Sequence, residues 1–116
     1  LEKTNEVMRN SIDRTKKEMK STNFYSTYFG TNGPVWYRGY FRDQLKDEDI
    51  SHILEKIHSK HIIVGHCSNK KIVQLYNHKV FGVDSSIKNG KYGEVLFINK
   101  KNSYSRGTLE GKKIKF

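Results

Sequence analysis

A chain of 116 residues is long enough for one modest domain, and an apolar content of 34% beside a charged content of 29% allows a lean core. There is no uninterrupted apolar run of about 18 residues, so no transmembrane helix is expected, and the single cysteine, Cys67, excludes an internal disulfide framework and fits a reducing compartment. The net charge of +10 would draw polyanions, but the lysines fall in scattered pairs with no basic stripe, so nucleic acid is not the expected partner.

Residues 2–20 read as a surface helix. Thr4 or Asn5 would cap it, Val7, Met8, Ile12 and Met19 would mark an irregular apolar stripe, and Lys16, Lys17 and Lys20 would sit in its last turn. Residues 21–33 read as an irregular loop with Phe24, Tyr25, Tyr28 and Phe29 packed down onto the domain, ending in a turn at Gly30–Pro34. The segment Gly33-Pro34-Val35-Trp36-Tyr37-Arg38-Gly39-Tyr40-Phe41 crowds aromatics around one arginine between glycines. Glycine lets a backbone turn tightly or approach a ligand closely. Arg38 there either forks two hydrogen bonds to a phosphate or stacks on Trp36 or a tyrosine as packing. The sequence leaves both open.

Residues 45–59 carry the clearest helical pattern. Ile50, Ile53, Leu54 and Ile57 share one face, with Asp47, Glu48 and Asp49 in the first turn and His58 and Lys60 near the end. His52 and His58 read as solvated. Ile62-Ile63-Val64 then reads as a short, fully buried strand ending in Gly65-His66-Cys67. A histidine at the exit of such a strand is placed to present its imidazole above the sheet edge, where ligands and metals bind. The alternative is an ordinary surface histidine. Five short strands follow as candidates: Ile72–Tyr76, Lys79–Val83, Glu94–Ile98, Ser103–Thr108 and Lys113–Phe116. Turns are expected at Asn77-His78, Asn89-Gly90 and Lys100–Asn102. The expected class is mixed α/β, with a crossover followed by a mostly antiparallel meander.

The ordered set Gly33-Pro34-Val35-Trp36-Tyr37-Arg38, then Val64-Gly65-His66, then Val80-Phe81-Gly82-Val83-Asp84 resembles the C-terminal half of a calcineurin-like metallophosphoesterase, in its Shewanella-like and phosphoprotein-phosphatase branch. The resemblance covers roughly residues 30–100. It implies a four-layer α-β-β-α sandwich with two divalent metal ions (manganese, iron or zinc), His66 as a metal ligand, and Arg38 as the catalytic contact to the substrate phosphate. It also implies a division into a linking helix and aromatic loop over 1–33 and a catalytic portion over 34–116. Two residues depart from the family pattern: Cys67 replaces a threonine and reads as a small packing residue, and Ser85-Ser86 replace a small residue and glycine. Asp84 reads as a structural strand-end residue. The metal-binding motifs of the family's first half are absent, so the remaining ligands are expected upstream, and the opening residue, Leu1, fits a piece of a longer protein.

The implied reaction is hydrolysis of a phosphorylated substrate, whether phosphoprotein, nucleotide or small phosphoester, by in-line attack of metal-bound hydroxide. Growing charge on the phosphoryl oxygens would be met by the metals and Arg38. Neither a serine nor a cysteine with a partnered base is visible for a covalent intermediate. A cytoplasmic location is expected, with no membrane association. The competing reading is a basic, non-catalytic module that binds polyanions.

Overall fold

The computed structural model describes residues 2–42, 45–101 and 103–116. Leu1, and Asn102 of the expected Lys100–Asn102 turn, lie outside the described residues. The chain divides into two compact units, Leu1–Asp43 and Gln44–Phe116.

The first unit is helical. The single helix expected over 2–20 is two: α1 (Glu2–Arg9) and α2 (Lys16–Lys20). The break has a local cause. Thr15 opens α2 with an extended backbone, its hydroxyl accepts the Glu18 N–H at 3.3 Å, and the Glu18 carboxylate accepts the Thr15 N–H at 2.7 Å. This reciprocal box starts a new helix and ends any continuation from α1. The Thr15 hydroxyl also donates to the Glu18 carboxylate at 2.6 Å, and this bond together with that from the Thr15 N–H holds the Glu18 carboxyl below its ordinary value. Met19 is buried, whereas Ile12 in the linking turn is exposed. Thr4 and Asn5 lie within α1, not at its cap. The aromatic segment is also more ordered than a loop. α3 (Tyr25–Phe29) sets residues four apart on one face, where Tyr25 and Phe29 stack with centroids 6.0 Å apart and Phe24 meets Tyr28 edge-on at 6.5 Å. α4 (Gly39–Arg42) closes the unit.

The second unit begins with α5 (Asp47–Lys56), whose first turn is acidic and whose Asp49 carboxylate accepts the Lys46 N–H at 2.9 Å. Ile50 and Leu54 are its buried residues, while Ile53 lies at the exposed margin of the expected face. The helix leads into β1 (Ile62–Val64). β2 (Val73–Leu75) and β3 (Val80–Gly82) form a hairpin, and β1 pairs with β3 in parallel, Ile62 opposite Val80 and Val64 opposite Gly82. The strand order β1-β3-β2 therefore puts β3 in the centre. That position decides burial: all three residues of β3 are buried, whereas β1 is an edge strand with Ile63 47% exposed. β1 is not the fully buried strand that its composition suggests.

β4 (Val95–Ile98), β5 (Tyr104–Gly107) and β6 (Lys113–Lys115) form a second, antiparallel sheet in that order. Phe81, fully buried at the centre of the first sheet, stacks on Tyr104 of the second with centroids 4.5 Å apart and also meets His61 and Phe116. A polar cross-tie stands beside this aromatic one. The Glu94 carboxylate accepts the Ile72 N–H at 2.8 Å and the Tyr92 hydroxyl at 2.5 Å and pairs with Arg106, while the Glu94 N–H donates to Ser85 Oγ at 2.9 Å. Burial pushes the Glu94 carboxyl up, but the hydrogen bonds from Tyr92 and Ile72 and the charge of Arg106 outweigh it and hold the group below its ordinary value. The hydrogen bond to Glu94 in turn raises the Tyr92 hydroxyl. The α/β class stands. The four-layer α-β-β-α sandwich is not supported: the described residues form two three-stranded sheets. Among the described residues no helix is long and apolar enough to cross a membrane.

Candidate functional site

The two parallel strands β1 and β3 end side by side, so the loops that leave them must run next to each other. Val83 N–H reaches Val64 O at 2.8 Å and Asn69 N–H reaches Asp84 O at 2.8 Å, which carries the pairing past the strand ends. His66 stands at the head of the first loop, exposed, with φ at +68°. A histidine in the left-handed region costs about 1 kcal/mol or more and persists only where its surroundings impose it.

The residues just beyond His66 are tied to the second loop. Asp84 accepts the Ser68 hydroxyl on one carboxylate oxygen and the Ser86 N–H on the other, each at 2.9 Å. The Ser86 hydroxyl returns to Asn69 O at 2.9 Å, and Ser86 is itself left-handed at +64°. The Ser86 N–H is the main reason that the Asp84 carboxyl sits below its ordinary value. Partial burial opposes this, and Ser68, Lys88 and His66 add to it. Asp84, expected as a strand-end residue, lies in the loop two residues beyond β3, where its carboxylate joins two loops. Cys67 is half-buried within the first loop: its N–H donates to Gly65 O and its carbonyl accepts the Asn69 side chain, both at 2.8 Å. The network around His66 is made of Ser68, Asn69, Asp84 and Ser86, which carry no motif of their own. Their only sequence signal is polar residues clustered immediately after two apolar runs.

Arg38 belongs to the first unit. Its guanidinium lies over the Trp36 ring, 5.2 Å from the centroid, and donates to Trp36 O at 3.3 Å. Tyr37 and Tyr40 meet edge-on at 5.2 Å beside it. The stacking contact with Trp36 is therefore present. The glycine before the segment has a packing reason. Gly33 is buried, and a Cβ there would come within 2.6 Å of the Tyr28 carbonyl group. Close approach to main chain is what this glycine provides.

No protein-family model matches the chain, and no curated relative does. Solved structures do. The chain is similar to a cold-active protein tyrosine phosphatase, with 38% identity and a TM-score of 0.88 over 99% of this chain. It is equally similar to the cold-active protein tyrosine phosphatase of a psychrophilic Shewanella species, over 98% of this chain, and to a point variant of a cold-active protein tyrosine phosphatase. This chain spans about a third of the length of each, 34%.

These matches correct two expectations. The matched structures carry the name of protein tyrosine phosphatases, not of calcineurin-like metallophosphoesterases, so the expected family gives way to the likeness actually found. The expected pair of divalent ions goes with it. Among the described residues no group of three or more histidine, cysteine, aspartate or glutamate side chains is gathered to hold a metal.

Proposed function

We propose that this chain is part of a phosphatase that hydrolyses phosphoester bonds, with phosphotyrosine in proteins as the first substrate class to test. The observation that supports the reading most is the likeness to protein tyrosine phosphatases at 38% identity over nearly the whole chain, with a TM-score of 0.88. His66, at the paired strand ends with a left-handed backbone and two residues before the Ser68 bond to Asp84, is the residue proposed to act at the reacting phosphate. Arg38 is proposed as a contact to the phosphate oxygens, a role that a planar, permanently charged fork suits. The net charge of +10 raises the local concentration of anionic substrates. Nothing in the fold favours the polyanion-binding module over this reading.

The test uses the protein that carries this chain. Turnover of a chromogenic aryl phosphate and of a phosphotyrosine peptide is measured for the wild type and for His66→Ala. The expected result is hydrolysis of both substrates by the wild type and its loss in the variant, with the folded state retained by circular dichroism. A wild-type protein inactive on every phosphoester offered would overturn the phosphatase reading. An active His66→Ala variant would remove His66 from the site while leaving that reading in place.

A further inference from the structure

We infer that Asp84 is a positioning residue: its carboxylate locks the loop after β3 to the loop after β1 and thereby fixes the direction in which His66 leaves the sheet. The inference rests on the phosphoester reading above only for its kinetic readout.

Four hydrogen bonds carry it. The two oxygens of Asp84 divide their work, one accepting Ser68 Oγ from the first loop and the other the Ser86 N–H from its own. The Asp84 carbonyl accepts the Asn69 N–H, and Ser86 Oγ closes the ring by donating to Asn69 O. Ser68 is two residues beyond His66, so the carboxylate grips the loop just past the imidazole. Both left-handed residues of the site, His66 and Ser86, flank this ring. Each would relax toward ordinary backbone angles if the ring opened. A carboxylate suits the position because it accepts on both oxygens at once, and charge-assisted bonds are the stronger kind. An amide keeps one acceptor and turns the other end into a donor, which Ser68 Oγ can accept by rotating its own hydroxyl. An alanine keeps neither.

The experiment compares wild type, Asp84→Ala, Asp84→Asn and Ser68→Ala in the protein that carries this chain. Amide hydrogen exchange at Cys67, Asn69 and Ser86 is read against the amides of β3 as an internal reference. Values of kcat and KM are measured on an aryl phosphate. Asp84→Ala is expected to speed exchange at the loop amides about tenfold while β3 is unchanged. It is also expected to lower kcat by up to about a hundredfold with KM nearly constant, the size of effect that misplacing a reacting group produces. Asp84→Asn and Ser68→Ala should fall between. Unchanged loop exchange in Asp84→Ala overturns the inference, as does loosened exchange with wild-type kcat. A wild-type protein without phosphatase activity defeats the phosphoester reading instead, and the exchange data still decide whether Asp84 holds the loops.

Discussion

Glu94 offers the sharpest stability test. Its side chain is fully excluded from solvent, and its carboxylate is where residues from three segments meet: Ile72 at the approach to β2, Tyr92 beside it in sequence, and Arg106 on β5. Glu94→Ala removes the acceptor and leaves the Ile72 N–H and the Arg106 guanidinium with no carboxylate. Removing one partner of a buried charge pair costs about 3–5 kcal/mol. Arg106 retains 17% side-chain exposure and can turn partly to water, which argues for the lower end, about 3 kcal/mol. For a unit of this size each kcal/mol lowers Tm by roughly 4–8 °C, so a fall of about 15 °C is expected. Glu94→Gln keeps the shape and loses the charge, and should cost about half as much. The sign of the pH effect follows from the lowered carboxyl. Because the folded state binds its proton less readily than the unfolded chain, the contribution is complete above the ordinary carboxylate value of 4.5 and is lost as pH falls through the folded value. Urea denaturation across pH 3–7 would show wild type and Glu94→Gln converging in acid. A Glu94→Ala penalty under about 1 kcal/mol, or a difference from Glu94→Gln that does not shrink in acid, would refute this account of the sheet-to-sheet tie.

Phe81→Ala should destabilise the second unit by about 3–5 kcal/mol, because it empties a fully buried ring site between two sheets; Phe81→Leu should recover more than half of that in the same melt, and near-wild-type stability of the alanine variant would contradict the packing described. Gly33→Ala should disturb the first unit, since its Cβ would press on the Tyr28 main chain; loss of helical signal at 222 nm without change in second-unit amide exchange is the expected observation, and an unaltered spectrum would count against it. Arg38→Lys keeps the charge and loses the planar fork, so turnover in the protein that carries this chain should fall roughly a hundredfold. A lowered Tm with full activity would assign Arg38 to the Trp36 stack alone.

The local pattern settled much of the second unit on its own. Val73–Leu75, Val80–Gly82, Val95–Ile98, Tyr104–Gly107 and Lys113–Lys115 all fall inside expected strands, each a short segment carrying β-branched or aromatic residues between turn residues. The turn before β3 is as expected at Asn77-His78, where the backbone is left-handed from Tyr76 through His78. The helix at Asp47–Lys56 was legible from its apolar spacing and acidic first turn. Other features depended on pairing partners far along the chain. Ile62-Ile63-Val64 looks like a central strand, but Val80–Gly82 takes the centre, so the same apolar composition ends on an edge. The break between α1 and α2 was written in Thr15 and Glu18, but an apolar stripe running through 7–19 masked it. At the site, the strand exit at His66 could be read from sequence. Its setting could not, because Ser68, Asn69, Asp84 and Ser86 become neighbours only when β1 and β3 align in parallel. Sequence specifies such contacts only through the register of two strands, and register is a property of the assembled sheet.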